Sequence, residues 1–292
     1  DATQGNTREK RLETAGWMAR LYQTARNRIV TTRPTRNVVG PAGDTGRVSL
    51  VGAGPGAADL LTVRALRRIE AAHAVVYDRL VGPDILALLP RGCERYYVGK
   101  ARGHHSVPQA EIGALLVKLA GEGKSVVRLK GGDPLIFGRA TEELEACRAA
   151  GVPVSIVPGI TAAQGAAAAL GFSLTEREHA RRVQFVTGHS MAGALPEDID
   201  WQAIADPHVT TAIYMPRATL AEFASRAIGA GLDPLTPALA IASATLPQQV
   251  EVRGSLAALP QRAATLPEGA PVLVFVGQVT REAVSELIGN AA

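Results

Sequence analysis

Five apolar runs of strand length between residues 47 and 160 each end in a loop of unusual composition. The loops are rich in glycine, proline and charged residues, and they occupy residues 52–56, 77–79, 99–100, 130–134 and 158–162. In an open parallel sheet the loops that follow the strands all leave from one edge, which is where ligands bind. The sequence therefore predicts a binding site at this edge, built largely from backbone atoms.

These runs alternate with helix-length segments from Arg47 onward, which is the β-α-β rhythm of a parallel sheet. The pattern predicts an α/β fold of two lobes with mainly parallel sheets and a cleft between the lobes. We place the N-terminal lobe, with the glycine-rich loops, at residues 47–170. The C-terminal lobe, residues 171–292, is expected to complete the cleft.

Length, apolar content and cysteine count restrict the class of protein. With 292 residues, of which 47% are hydrophobic, the chain can bury a large core. Cys93 and Cys147 lack CxxC or Cys/His spacing, so we expect neither a disulfide framework nor a zinc site, and a reducing cytoplasm fits. The longest apolar stretches, such as residues 271–276, are much shorter than the roughly 20 residues that a membrane span requires. We therefore expect a soluble protein with no membrane partner.

The formal charge of +4 comes from the first 46 residues, which hold eight Lys or Arg and four Asp or Glu. The remaining residues carry 23 charges of each sign, and such a neutral body argues against a broad nucleic-acid surface. We interpret residues 1–46 as a basic N-terminal extension and linker. A targeting sequence, a nucleic-acid arm, the end of a preceding domain and a partly disordered extension are all open interpretations of it.

The loop at residues 52–56 has more than one interpretation. With Ala57 it satisfies G-x-G-x-x-A between a strand and a helix, and Asp78 follows the next strand, as in dinucleotide-binding proteins. However, Pro55 removes a backbone N–H that a pyrophosphate needs, and Asp59 places a negative charge where phosphates lie. An adenosyl ligand without phosphate fits this loop better, and a tight turn without a ligand is the alternative.

The loop at residues 130–134 allows a ligand to approach the backbone closely. Gly131 and Gly132 have no Cβ, and Asp133 is suited to anchoring a hydroxyl or an amine. A plain Gly-Gly-Asp-Pro turn is the alternative, but residues 136–139 continue with apolar and basic side chains suited to a pocket wall. In the loop at residues 158–162, Thr161 either caps the following helix or bonds a ligand.

Charged side chains end two further runs. Asp78 and Lys100 are residue types common in surface turns, but their place at the predicted edge favours side chains that face the cleft. His104 and His105 are adjacent, so on a regular element they point apart and make a poor chelating pair. We therefore predict no metal site.

In this order and at this spacing, the motifs resemble those of the tetrapyrrole methyltransferase family. The resemblance runs from about Arg47 to Ala283. It is closest to the branch that methylates uroporphyrinogen III on carbon, whose members stand alone or form the C-terminal half of siroheme synthases. The most specific strings occupy residues 51–56, 77–80, 98–100, 128–134, 136–138, 157–162, 186–189 and 214–215.

The resemblance implies an S-adenosylmethionine-dependent C-methyltransferase that converts uroporphyrinogen III to precorrin-2 by two methylations. It further implies a role in siroheme or cobalamin biosynthesis and a cytoplasmic homodimer whose two lobes enclose cofactor and substrate. The family's proton acceptor and donor fall on Asp78 and Lys100. Its cofactor contacts fall on Pro55, Gly131, Gly132, Asp133, Ile136, Thr161, Ala162 and Met215, with Ala244 binding through its backbone. Arg79, Arg128 and Arg139 are candidates for pairing the substrate's carboxylates.

Two positions depart from the family pattern. Residues 243–245 read Ser-Ala-Thr where the family usually has Asn followed by Gly, and Glu176 replaces the histidine of a usual Thr-His-Arg. Because an acid near a polycarboxylate substrate is unfavourable, Glu176 suggests a changed substrate or rate.

Three other functions stay open at this point. The first glycine loop and Asp78 also suit an NAD(P)-dependent oxidoreductase. Within the family, the substrate is alternatively a later corrin precursor, rRNA or diphthamide, although the neutral body weighs against RNA. A module that senses the nucleoside without catalysis is the third.

Overall fold

The computed structural model describes residues 46–99, 107–190 and 193–281. Lys100, His104 and His105 lie outside these ranges, as does the basic extension up to residue 45. What the sequence predicts for these residues stays a prediction.

The first sheet is parallel throughout. Its strands are β1 (Arg47–Gly52), β2 (Ala74–Tyr77), β3 (Glu94–Tyr97), β4 (Ser125–Lys130) and β5 (Val154–Val157). They are ordered β3-β2-β4-β1-β5, and each neighbouring pair runs in parallel. Since β1 lies between β4 and β5, the loops that follow these three strands are neighbours at one edge. This sheet confirms the parallel arrangement that the alternating pattern predicted.

Four helices cover the two faces of this sheet. They are α1 (Val63–Glu70), α2 (Pro83–Leu86), α3 (Gln109–Gly121) and α4 (Ala140–Ala149), and a 3-10 helix at Ala58–Leu60 precedes α1. On β4, Val126 packs on the side of α3 and α4, whereas Val127 and Leu129 pack on the side of α1 and α2. Because both faces are covered, the central strands β1, β2 and β4 are buried along most of their length, and most of their residues are apolar.

The second sheet is mixed. Its strands are β6 (Arg182–Thr187), β7 (Val209–Tyr214), β8 (Pro237–Ala242), β9 (Val250–Ser255) and β10 (Val272–Val276), in the order β6-β7-β10-β8-β9. β6 and β7 are parallel, and the other three neighbouring pairs are antiparallel. Side chains of the short helices α6 (Trp201–Ile204), α7 (Leu220–Gly229) and α8 (Leu259–Ala263) share its core. A 3-10 helix follows at Gln278–Thr280.

The α/β class is confirmed, and five of the eight described strand pairs are parallel. The expectation of a mainly parallel arrangement does not hold for the second sheet taken alone. Residues 243–249, which join β8 to β9, are too few for the crossover of roughly a dozen residues that a parallel pair needs. These two strands therefore pair in antiparallel fashion.

An alanine-rich helix, α5 (Ala162–Leu170), follows β5 and packs against the second sheet. Its Ala163 and Ala166 are buried together with Leu239 and Phe275. Short side chains on the helix allow close contact with the strands, because the distance between packed elements depends on the side chains at the contact. α5 thus links the two sheets physically, and the division between residues 170 and 171 stays a prediction.

The longest described helix, α3, has 13 residues. At 1.5 Å per residue it measures about 20 Å, which is shorter than the roughly 30 Å hydrocarbon core of a bilayer. Within the described ranges, no helix has the length and apolar character needed to cross a membrane.

Candidate functional site

The loops that follow β1, β4 and β5 are joined through glycine backbone. Gly54 and Gly132 exchange two hydrogen bonds, with N···O distances of 3.2 and 2.7 Å, and form an isolated antiparallel bridge. A Cβ on Gly159 would lie 2.3 Å from the carbonyl oxygen of Gly132, and one on Gly52 would lie 2.5 Å from the Gly159 nitrogen. Such approaches require residues without a side chain. The glycines are therefore what allows the three loops to meet.

The Asp133 carboxylate ties the loop after β4 to the loop after β5. Its Oδ2 accepts a hydrogen bond from the Gly159 N–H at 2.9 Å, and its Oδ1 accepts one from the Leu135 N–H at 2.7 Å. The Ile136 N–H closes the same turn by donating to the Asp133 carbonyl at 3.2 Å. Because an ionised carboxylate has about four acceptor positions, Asp133 keeps capacity for a ligand.

A fourth loop, from the second sheet, reaches the loop after β1. The Ala57 N–H donates to Thr245 Oγ1 at 3.1 Å. A Cβ on Gly56 would lie 3.0 Å from the carbonyl oxygen of Ala244. We refer to residues 52–57, 131–139, 158–162 and 243–246 together as the four-loop cluster.

The four-loop cluster holds most of the residues predicted to bind a cofactor. Pro55 packs on α5, where a Cβ on Gly165 would lie only 2.4 Å from the Pro55 Cγ. Gly132 has a φ of +67°, and a Cβ there would lie 3.5 Å from the Ala162 nitrogen. The structure therefore brings Pro55, Gly131, Gly132, Asp133, Ile136, Thr161, Ala162 and Ala244 into one region.

Tyr214, the last residue of β7, anchors the start of α5. Its hydroxyl lies 2.5 Å from Thr161 Oγ1 and accepts a hydrogen bond from the Ala163 N–H at 3.2 Å. Thr161 is the N-cap residue of α5, but its hydroxyl is engaged with Tyr214 and makes no capping hydrogen bond, and its bonding to a ligand stays a prediction. Burial raises the pKa of Tyr214, and the nearby Asp133 adds to the shift.

Two aromatic rings pack against Tyr214, and one of them, Phe137, belongs to the four-loop cluster. The ring centroid of Tyr214 lies 4.9 Å from that of Phe137 and 5.7 Å from that of Phe185. Sequence reasoning did not predict a functional role for Tyr214. The available indication was its position at the end of an apolar strand, directly before Met215.

Strained backbone is concentrated in the same region. In the described part of the chain, five residues other than glycine have a positive φ, between 51° and 67°, and they are Phe137, Arg139, Met215, Ser243 and Thr245. All five lie in the loops that follow β4, β7 and β8. Such conformations cost energy and gather at ligand-binding sites, where the surrounding structure holds them. Met215 is also 49% exposed, which leaves its side chain accessible to a ligand.

Asp78 follows β2 at the same edge of the first sheet. Its Oδ2 accepts a hydrogen bond from Arg128 Nη2 at 3.2 Å, and its Oδ1 accepts one from the Leu80 N–H at 3.1 Å. A Cβ on Gly131 would lie 2.7 Å from the Leu80 Cβ, so the Asp78 loop borders the four-loop cluster. The Asp78 side chain is 26% exposed and reaches solvent.

Arg128 occupies a different environment from the one that the sequence predicted. We expected it to pair with substrate carboxylates, but its side chain is only 4% exposed. Its guanidinium donates to Glu143, to the Leu129 carbonyl and to Asp78. The reason is that Arg128 faces the side of β4 that α4 covers, so its charge is used inside the first lobe.

The other two predicted substrate arginines are exposed. Arg139 is 53% exposed and forms an ion pair with Glu142 at 2.5 Å. Arg79 donates to the carbonyl oxygen of Gly269, which precedes β10. Both guanidinium groups therefore remain accessible to an anionic ligand.

Glu176, the acid at a departure from the family pattern, has a basic neighbour. Its Oε2 lies 3.9 Å from a guanidinium nitrogen of Arg281. The Glu176 backbone exchanges two hydrogen bonds with Ala180. This neighbouring positive charge reduces the repulsion that the acid alone would exert on an anion. As for metals, none of the described residues form a group of three or more His, Cys, Asp or Glu side chains that could hold an ion.

The chain is similar to known proteins over most of its length. Residues 47–260 match the family of tetrapyrrole (corrin/porphyrin) methylases. The chain is 48% identical over 244 residues to a siroheme synthase from Chromobacterium violaceum, covering 84% of this chain and 52% of that protein. It is 49% identical over 242 residues to a uroporphyrinogen-III C-methyltransferase from Paracoccus denitrificans, covering 83% of this chain and 84% of that protein. The chain spans about half the length of the siroheme synthases that it matches.

Solved structures of methyltransferases are also similar to this chain. The uroporphyrin-III C-methyltransferase from Thermus thermophilus, complexed with S-adenosylhomocysteine, is 37% identical and superposes with a TM-score of 0.70, over 81% of this chain and 100% of that chain. The cobalt precorrin-4 methyltransferase CbiF is 28% identical, with a TM-score of 0.73 over 83% of this chain and 99% of that chain. Sequence and structure together show that the chain belongs to the tetrapyrrole methylase family.

Proposed function

We propose that this chain is an S-adenosylmethionine-dependent C-methyltransferase that converts uroporphyrinogen III to precorrin-2 by two methylations. The observation that carries the proposal is the meeting of four loops from both sheets in the four-loop cluster. The uroporphyrinogen-III methyltransferase relative, and the S-adenosylhomocysteine in the Thermus thermophilus structure, support it. The reaction belongs to siroheme or cobalamin biosynthesis, and we propose a cytoplasmic homodimer.

The four-loop cluster has features that fit an adenosyl group. Gly132 leaves space that a Cβ would fill beside Ala162, and the Asp133 carboxylate and the Thr161 hydroxyl belong to the same loops. We propose that Pro55, Gly131, Gly132, Asp133, Ile136, Thr161, Ala162, Met215 and Ala244 hold S-adenosylmethionine. When bound, this cofactor supplies an electrophilic methyl group on a sulfonium.

Asp78 is the proposed proton acceptor. Methylation of a ring carbon requires the loss of a proton, and a carboxylate within reach of the substrate is suited to take it. Arg128 and the Leu80 N–H each occupy one oxygen of Asp78, while the partly exposed side chain keeps further acceptor capacity. Lys100, outside the described residues, is the proposed donor.

Arg79 and Arg139 are the proposed contacts for the substrate's carboxylates. Both are exposed and lie next to Asp78 or within the four-loop cluster. A guanidinium presents its N–H groups in a planar fork that matches a carboxylate, which makes arginine better suited than lysine to this role.

The decisive experiment follows the transfer of labelled methyl groups from S-adenosylmethionine to uroporphyrinogen III, with two transfers expected per substrate molecule. Asp78→Asn should lower turnover by roughly 100-fold, the lower end for loss of a general base. Its affinity for S-adenosylhomocysteine should stay nearly unchanged. Asp84→Asn, at the exposed start of α2, is the matched control and should keep full turnover. Unchanged turnover in Asp78→Asn removes Asp78 from the mechanism.

A second candidate is a sibling methyltransferase that acts on a later corrin precursor. The superposition on cobalt precorrin-4 methyltransferase, with a TM-score of 0.73, favours it. Offering uroporphyrinogen III and a corrin precursor in the same labelled assay separates the two, because each substrate gives a distinct product. Calorimetric titration with S-adenosylhomocysteine and with NAD tests the oxidoreductase alternative, for which NAD alone would bind.

A further inference from the structure

A buried group of charged side chains lies beneath the edge that carries the proposed active site. Glu143 of α4 is fully buried, and its carboxylate accepts hydrogen bonds from Arg128 Nε at 3.0 Å and from Gln109 Nε2 at 2.9 Å. Lys130 Nζ lies 2.9 and 3.0 Å from the two oxygens of Glu143. Arg128, Lys130 and Glu143 together form what we call the buried charge group.

These charges are costly to bury unless each is paired, because water no longer solvates them. Burial lowers the pKa of Lys130, and Arg128 adds to the shift, while Glu143 opposes it. Apolar side chains such as Leu144 and Cys147 fill the same face of α4 next to Glu143. Apolar residues at these three positions would be sufficient to fill the core, so the paired charges point to a further role.

The guanidinium of Arg128 connects this group to Asp78. Its Nε donates to Glu143, its Nη1 donates to the Leu129 carbonyl at 2.7 Å, and its Nη2 donates to Asp78 Oδ2 at 3.2 Å. Since the guanidinium is planar, bonds at three of its nitrogens fix the orientation of the whole group. Arg128 thus couples the position of the Asp78 carboxylate to that of α4.

We propose that Arg128, held by Glu143, is a positioning residue that fixes the Asp78 carboxylate for proton removal. The inference deepens the proposed function and rests on it, because it assumes that Asp78 accepts the proton. A lysine at this position could supply the charge, but its single ammonium lacks the planar fork that reaches Glu143, Leu129 and Asp78 together. Orientation, and not charge alone, is therefore the property that Arg128 contributes.

A double-mutant cycle tests whether Arg128 acts through Asp78. Arg128→Met should lower kcat about 10- to 100-fold in the otherwise native chain, since displacing a catalytic group by about 1 Å costs up to this much. In the Asp78→Asn background the same substitution should lower kcat by less than about threefold, because residues that act as a unit are not additive. KM and the affinity for S-adenosylhomocysteine should stay within about threefold. An equal loss of kcat in both backgrounds overturns the inference.

Conservative variants separate orientation from charge and cover the case in which Arg128→Met does not fold. Arg128→Lys should recover most of the loss in Tm but little of the loss in kcat, and full recovery of kcat overturns the inference. Glu143→Gln keeps the shape of the side chain and should lower kcat only when Asp78 is present. Arg253→Met is the control, because Arg253 also lies on a strand, β9, and forms an ion pair with Glu251. This variant should lower Tm without changing kcat.

The cycle also distinguishes this inference from the proposed function. If the native chain transfers no methyl to uroporphyrinogen III, the proposed function fails. The four proteins of the cycle are then compared by Tm: the native chain, the Arg128→Met and Asp78→Asn variants, and the double variant. Contact between Arg128 and Asp78 then predicts a smaller loss of Tm from Arg128→Met in the Asp78→Asn background than in the native one. Equal losses in Tm would show that Arg128 does not hold Asp78, whatever the activity.

Discussion

The hydroxyl of Tyr214 lies 2.5 Å from the hydroxyl of Thr161, and this contact joins the end of β7 to the start of α5. Thr161 lies in the predicted N-terminal lobe, whereas Tyr214 lies in the predicted C-terminal lobe. A tyrosine hydroxyl is protonated at neutral pH in any case, and burial raises the pKa of Tyr214 further, so this hydroxyl remains able to donate. Tyr214 of the second sheet thereby sets the position of Thr161, a proposed cofactor contact that follows the last strand of the first sheet.

Removing the Tyr214 hydroxyl should weaken cofactor binding while leaving the aromatic packing in place. Tyr214→Phe loses the contacts with Thr161 and the Ala163 N–H, each worth about 1 kcal/mol. We expect the affinity for S-adenosylhomocysteine, measured by calorimetry, to fall about 5- to 10-fold. Tyr96→Phe removes a hydroxyl that donates to Glu94 on an exposed part of β3, and it should leave this affinity unchanged. Equal affinities in the two variants would contradict the prediction.

The Asp133 carboxylate offers a matched pair of turns. Asp133 and Asp233 are both followed by Pro and Leu, and in both turns the leucine N–H donates to the aspartate Oδ1, at 2.7 and 2.8 Å. Asp133 in addition accepts a hydrogen bond from the Gly159 N–H through its other oxygen. Asp133→Asn replaces one of these two acceptor oxygens with an NH2 group, so one of the two hydrogen bonds is lost. We expect a loss of S-adenosylhomocysteine affinity of at least about tenfold, equivalent to about 1.4 kcal/mol. Asp233→Asn should bind as tightly as the native chain, and the same loss in both variants argues against the role of Asp133.

A methyl group on Gly159 should disrupt the meeting of the loops. In Gly159→Ala the new Cβ would lie 2.3 Å from the Gly132 carbonyl oxygen, so the backbone must shift. Such overpacking should lower the free energy of unfolding by about 3 kcal/mol. Gly229→Ala, at the end of α7, meets nothing within 4 Å and should raise it by up to about 1 kcal/mol. Urea denaturation checks both values, and a stable Gly159→Ala variant would falsify the close approach.

Alkaline stability should depend on Cys147. Burial raises the pKa of its thiol from an ordinary 9.0 to about 11, and Glu143 adds to the shift. Because the folded value lies above the unfolded one, the folded state keeps its proton longer. The stability that this contributes is present below pH 9 and is lost as the pH rises towards 11. The loss over this window is on the order of 1–3 kcal/mol.

The free energy of unfolding at several pH values checks the Cys147 prediction. From pH 8.5 to 10.5 it should fall more steeply in the native chain than in Cys147→Ala, since groups common to both cancel in the difference. The core cavity in Cys147→Ala lowers stability at every pH and does not change the slope. Identical slopes would mean that the thiol titrates normally.

The sequence was sufficient to predict the first sheet and the meeting of its loops. Parallel strands send the loops after β1, β4 and β5 to one edge whatever the details of packing, and glycines at 54, 132 and 159 allowed a close approach. The mixed order of the second sheet was harder to predict. β10 lies between β7 and β8, and this placement depends on contacts between distant strands that no local pattern encodes.

Arg128 shows a different limit of sequence reasoning. A charged residue near the end of a strand suggested a ligand contact, whereas its partner Glu143 lies on a helix. A hint was present, because Glu143, Leu144 and Cys147 share the helical spacing of a buried face. Recognising it would have required knowing that this face of α4 covers β4. The Tyr214–Thr161 contact was inaccessible for the same reason, since it depends on how the second sheet packs against α5.

The hydrogen bond from Ala57 to Thr245 joins positions 188 apart. During synthesis a ribosome therefore releases the first glycine turn long before the threonine that completes it has been made. A nascent chain has to extend beyond β8 before the first and the last loop of the four-loop cluster coexist. We therefore expect the proposed cofactor site to be completed only late in the synthesis of the protein.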